Sequence, residues 1–201
     1  LIEHIPQVHQ GRITSLEFGF NIQPETPAEV IIVDNILLHN LKAPTKINNY
    51  GSKGMLKQFT HYNYVIKVYD KAKQNISYRI EHPILRFEIR YSGKELRTLG
   101  IFKVQDLKNK MLLRLMFLRL LKRYDDILIV DDRDPKIISK SDYSDIQKFT
   151  NPLYWKDVKI GQTKLRHKAK FEQLLIKNNL LKMKRRLREL LKDKFIHLIN
   201  N

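Results

Sequence analysis

Ile84–Tyr91 reads ILRFEIRY. Successive side chains of a strand point to opposite faces, so Leu85, Phe87, Ile89 and Tyr91 share one side and Arg86, Glu88 and Arg90 the other. This is a β-strand with one buried and one charged face. Working outward, Arg12–Ile22 (RITSLEFGFNI) alternates in the same way, with Leu16, Phe18, Phe20 and Ile22 opposite Glu17, Gly19 and Asn21. Phe59–Lys71 (FTHYNYVIKVYDK) alternates again and predicts a third strand, on which Lys67, Tyr69 and Lys71 share a face. Three strands of this pattern predict an antiparallel sheet whose apolar side is covered by helices, an α+β architecture.

The intervening segments supply the helices. Ala28–Asn40 carries apolar residues at Val30, Val33, Leu37 and then Leu41, which predicts a helix despite its β-branched content. The stretch Asn48–Lys57 reads as a turn-rich loop, and Asn75 opens a connection to the strand at Ile84. Lys94–Leu99 predicts a short helix closed by Gly100, and Val104–Tyr124 a long one without Gly or Pro. The ILIV run between Asp125 and Asp134 is either a strand or the end of that helix. Thr150-Asn151-Pro152 breaks the chain before a segment containing Trp155, and Lys164–His197 predicts two basic amphipathic helices joined near Asn178-Asn179. The expected division is an α+β domain over 1–135 and a basic helical region over 136–201.

Lys and Arg number 38 against 21 Asp and Glu, a formal charge of +17 that attracts polyanions, nucleic acid first among them. Twelve Lys or Arg against three acids fall between Lys164 and Lys194, so about half of the excess lies in the tail. Arg185, Arg186, Lys184 and Arg188 are its expected phosphate contacts. No apolar run approaches the roughly 18 residues of a membrane-spanning helix, which excludes a spanning role. The absence of cysteine excludes a disulfide framework and suits a reducing cytoplasm. The chain starts at Leu1, and an upstream portion is expected to be missing.

The polar strand faces gather parts for phosphodiester chemistry: carboxylates (Glu17, Glu88) able to hold Mg²⁺ or Mn²⁺, cations (Lys67, Lys71, Arg86, Arg90) to grip phosphate, and a tyrosine (Tyr69) able to attack phosphorus. Either lysine beside Tyr69 would lower the pKa of its phenol. Tyr62 or Tyr64, if exposed, would stack on an unpaired base. Each residue also has a plain reading, since tyrosine is common in strands and Glu88 between two arginines suits a cross-strand charge ladder.

The order of ITSLEFGFNI (Ile13–Ile22), VIKVYDKAKQ (Val65–Gln74) and LRFEIRYSGKELRTLGIFKVQDL (Leu85–Leu107) resembles the replication initiators of filamentous phages and related rolling-circle plasmids, the gene II/X type. NPLYW (Asn151–Trp155) is similar to a segment of replication proteins of Bacteroidetes mobile elements. The resemblance covers Arg12–Leu107 best. It implies a nickase-like fold and a bacterial-host enzyme that nicks one DNA strand and stays linked to it through Tyr69. It further implies Lys71 beside the nucleophile, Glu17 and Glu88 at the metal, and contact with the host replication machinery. The paired-histidine metal motif of many such nickases is absent, so either carboxylates replace it or the metal site is incomplete, and the chain is shorter than the phage initiators. Two other classes stay open: a DNA- or RNA-binding module without catalysis, and a ribosome-associated RNA-binding protein.

Overall fold

The computed structural model describes residues 6–49, 54–74, 82–158 and 161–200. Five antiparallel strands form the main sheet: β1 (Ser15–Ile22), β3 (Lys46–Asn49), β4 (Met55–Thr60), β5 (Tyr64–Asp70) and β6 (Leu85–Ser92), in the spatial order β1-β6-β5-β4-β3. β6 pairs with β1 from Ser15↔Ser92 to Ile22↔Leu85, and with β5 from Tyr64↔Tyr91 to Asp70↔Leu85. The strand predicted most directly from its alternation is thus next to the first strand in space. A second, two-stranded sheet joins β2 (Ile36–His39) to β7 (Ile127–Ile129), also antiparallel.

The apolar face of the large sheet meets two long helices, α4 (Lys110–Asp125) and α8 (Lys182–Asn200). Phe20, Ile66, Phe87 and Ile89 share one core with Phe117 and Leu120 of α4 and Leu187 and Leu191 of α8. Phe117 and Phe195 stack at 4.0 Å, and Phe20 meets Phe117 edge-on at 5.5 Å. Residues on either side of position 135 therefore share that core. A smaller core collects Phe149, Trp155, Phe171 and Leu174 from α5 (Lys140–Thr150), α6 (Pro152–Asp157) and α7 (Gln162–Lys177), against Leu38 and Val130. Trp155 Nε1 donates to the Phe149 carbonyl at 2.6 Å, so the indole is buried with its one polar atom satisfied. No helix among the described residues is long and apolar enough to cross a membrane.

Three of the expected elements differ. The helix expected over 28–40 is helical only through α1 (Ala28–Val30) and a wide π turn at Ile31–Asn35, after which the chain extends into β2. The switch is local: Asn35 exchanges bonds with Val130 (Nδ2 to O, 2.9 Å; Val130 N to Asn35 O, 3.0 Å), and Lys57 Nζ donates to the carbonyls of Val33 and Ile36 at 2.9 and 2.7 Å. Once these partners take the turn's polar groups, Ile36 and Leu38 are buried as a strand. The loop expected over 48–57 contains the end of β3 and the start of β4, with 50–53 outside the described residues; the connection expected from Asn75 likewise lies outside them over 75–81. The single strand expected over 59–71 is a hairpin, because His61 N donates to Tyr64 O at 2.9 Å and reverses the chain. Lys71 then begins a short helix, α2 (Lys71–Gln74).

Other elements match closely. α3 (Gly93–Thr98) is capped by Ser92 and followed by Gly100 at φ +79°, where the left-handed conformation favours glycine. The long helix starts as a 3₁₀ turn at Val104–Lys108 before Asn109 caps α4. The ILIV run is a strand, and α7 and α8 meet at Asn179, whose φ is +54°.

Candidate phosphodiester site

Opposite the apolar face, the period-two register brings Glu17, Lys67, Tyr69, Arg86 and Glu88 together from β1, β5 and β6. Lys67 faces Glu88 across the β5–β6 ladder, Tyr69 faces Arg86, and Glu17 faces Arg90 across β1–β6. Lys67 Nζ donates to Glu17 Oε1 at 2.7 Å and Glu88 Oε1 at 3.1 Å. Tyr69 Oη and Arg86 Nε donate to Glu88 Oε2 at 3.2 and 2.9 Å, and Arg86 Nη1 reaches Asn21 Oδ1 at 3.1 Å. Gly19 sits directly across from Glu88; a Cβ there would lie 2.7 Å from Phe87 O and 2.9 Å from Glu88 Cβ. The missing side chain lets β1 close on β6 at the carboxylate.

The Glu88 side chain is only 4 % exposed. Burial alone would raise its carboxyl, but the bonds and charges of Arg86 and Lys67 outweigh that and hold it below the ordinary carboxylate range. Burial likewise works against the Lys67 ammonium, and Glu17 and Glu88 outweigh it, holding Lys67 above its ordinary value. The tyrosine moves opposite to expectation: burial first, then the adjacent Glu88 charge, push the Tyr69 phenol up to about 12. The Arg86 charge pulls it down, but burial and Glu88 outweigh it. Lys71 lies beyond the strand, its Nζ 5.9 Å from the Tyr69 ring centroid and donating to Gln74 Oε1.

Glu17 and Glu88 as arranged do not fit a divalent ion. Lys67 Nζ stands between them, and two carboxylates with Lys67 and Arg86 make a neutral cluster, so an ion enters only where the ammonium leaves. Among the described residues no three His, Cys, Asp or Glu side chains converge as a metal site.

The expected tail contacts separate into two pairs. Arg185 and Arg186 are exposed, Arg186 lying 3.9 Å from both Glu25 and Glu189. Lys184 instead donates to the carbonyls of Asp125 and Ile127, each at 2.6 Å, and Arg188 forms a two-pronged pair with Asp125 at 2.8 and 3.0 Å. These two fasten α8 to the end of α4, where Lys184 satisfies one of the helix's last carbonyls. Arg90 is exposed on the site face.

A second polar cluster escaped the sequence reading. His39 is fully buried with Nε2 on the Arg123 carbonyl (3.2 Å), and burial first, then His61, hold it down at about 3. His61 stacks on Tyr64, and the Arg123 guanidinium lies 4.3 Å from the Tyr64 ring centroid. Arg119 and Arg123 reach the buried Glu95 at 3.2 and 3.8 Å. No short motif marks a cluster drawn from β2, α3, α4 and the β4–β5 turn.

No protein-family model, curated protein or solved structure matches the chain.

Proposed function

We propose that the chain nicks one DNA strand through Tyr69 and stays joined to it, as in the rolling-circle initiators its segments resemble. The observation that supports this reading is the hydrogen bond from Tyr69 Oη to Glu88, whose carboxylate is itself oriented by Arg86 and Lys67. A hydroxyl, a carboxylate and cations within hydrogen-bond reach of one another support the roles of nucleophile, base and orienting groups. The phenol oxygen attacks phosphorus while its proton passes to Glu88. The P–O3′ bond breaks, Glu88 returns the proton to the departing 3′ oxygen, and the 5′-phosphate remains on Tyr69. One phosphodiester replaces another, so the strand can later be rejoined without an outside energy source. Lys67 and Arg86 supply positive charge for the phosphoryl oxygens.

A binding module without catalysis is favoured by one observation: the Tyr69 hydroxyl is buried and held up at about 12, as in a structural tyrosine. The two readings part in one assay. Wild type and Tyr69→Phe are incubated with labelled single-stranded DNA, with Mn²⁺ and separately with EDTA, and resolved under denaturing conditions. A covalent adduct lost in the variant is the expected result; binding without any adduct overturns the enzyme in favour of the module. An adduct that persists in EDTA assigns charge neutralisation to Lys67 and Arg86, and one that requires Mn²⁺ assigns it to an ion that takes the place of Lys67.

A further inference from the structure

The turn between β4 and β5 carries the most exposed Phe, Tyr or Trp ring among the described residues. Tyr62 is 91 % exposed, whereas Phe102, the other exposed Phe, Tyr or Trp among the described residues, stands at 51 %. An aromatic side chain normally buries its large apolar area, so a ring held almost wholly in solvent asks for a partner. The turn beneath it is firmly held. His61 N donates to Tyr64 O and Ser92 N to Asn63 O, both at 2.9 Å, and the His61 ring stacks on Tyr64 at 4.5 Å. Tyr64 is only 9 % exposed and lies under Arg123, so of the two tyrosines in this turn region Tyr62 alone has an accessible ring.

The charge around Tyr62 fits a polyanion. Lys94 Nζ lies 5.7 Å from its ring centroid, and Arg90, exposed on β6, pairs with Val65 three residues along the chain from Tyr62. From there the site face carries Lys67 and then Arg86 at alternate positions, about 7 Å apart along a strand, where a phosphate competes with Glu17 and Glu88 for their donors. That interval resembles the spacing of phosphates on an extended single strand. Tyr62 lies in the turn just before β5, and Tyr69 is about 17 Å along that strand from Tyr64, a few nucleotides away.

We propose that Tyr62 is a stacking platform for an unpaired nucleobase, on a single strand whose backbone continues past Arg90 toward Lys67 and Arg86. A π face accepts any base, so the platform selects for strandedness rather than sequence. A paired base is already stacked on its neighbours and gains nothing from the ring. The inference rests on the nucleic-acid reading of this face and not on the chemistry of Tyr69.

Fluorescence anisotropy with short labelled oligonucleotides tests it, using single-stranded DNA, single-stranded RNA and duplex DNA against wild type, Tyr62→Ala, Tyr62→Phe and Tyr62→Trp. Tyr62→Ala is expected to weaken single-strand binding roughly five- to a hundredfold and leave duplex binding unchanged, with Tyr62→Phe close to wild type. The added indole of Tyr62→Trp is expected to be quenched by single strands, over a steady background from Trp155, which is 2 % exposed. A larger loss on DNA or on RNA identifies which strand the platform serves. Single-strand affinity unchanged in Tyr62→Ala, or an indole that single strands do not quench, overturns the platform. All arms are read in a Tyr69→Phe background, so failure of the nicking chemistry does not alter them, and a Tyr69-dependent adduct with an indifferent Tyr62 removes the platform alone.

Discussion

Glu88 holds three donors at once, from Lys67, Arg86 and Tyr69. Replacing it with Gln leaves two cations in a mostly buried cluster without their shared anion, and Glu88→Gln is expected to cost about 3 kcal/mol in chemical denaturation at neutral pH. The sign with pH follows from its depressed carboxyl: the stabilisation is complete above the ordinary value of 4.5 and is lost as pH falls below that through the folded-state value. The gap between wild type and Glu88→Gln therefore closes on acidification below 4.5, and a gap independent of pH refutes the assignment. The convergence of Glu17, Lys67, Tyr69 and Glu88 was legible in the sequence because strand period alone decides which residues share a face. The direction of the Tyr69 shift was not, since it is set by burial of the phenol and by the Glu88 charge beside it, which strand period does not reveal.

Helix α8 illustrates the element scale. Its basic residues look alike in sequence, yet Lys184 and Arg188 turn inward to the end of α4 while Arg185 and Arg186 turn out. Lys184→Met is expected to lower stability by about 1–3 kcal/mol, because the carbonyls of Asp125 and Ile127 lose their donor. Thermal or denaturant unfolding checks it, and a variant as stable as wild type dissolves the fastening role. Elements were legible where one face is buried and the other wet, as in β1 and β6. They were missed where a partner overrode the local pattern, as Val130 and Lys57 do at Asn35–Ile36, or where a turn lacked Gly and Pro, as at His61–Asn63.

Across the whole molecule, the charge of +17 makes nucleic-acid binding a counterion-release problem. If Arg90, Arg185 and Arg186 touch phosphates, replacing each with Ala is expected to shallow the slope of log affinity against log salt by about 1, and Lys184→Ala to leave it unchanged. Titrations across a salt series decide this, and equal slopes for all four variants refute the partition. The β1–β6 ladder has a consequence of its own. Ile22 pairs with Leu85 and Ser15 with Ser92, so β1 leaves the ribosome without its ladder partner, which begins more than sixty residues further along the chain. The consecutive strands β3, β4 and β5 close locally, while β1 waits for β6 and the shared core waits longer still, for Leu187 and Leu191. A chain halted before β6 therefore exposes the unpaired edge of β1, and one halted before α8 leaves the apolar face of the sheet partly uncovered, features that drive nascent chains to aggregate or to recruit chaperones.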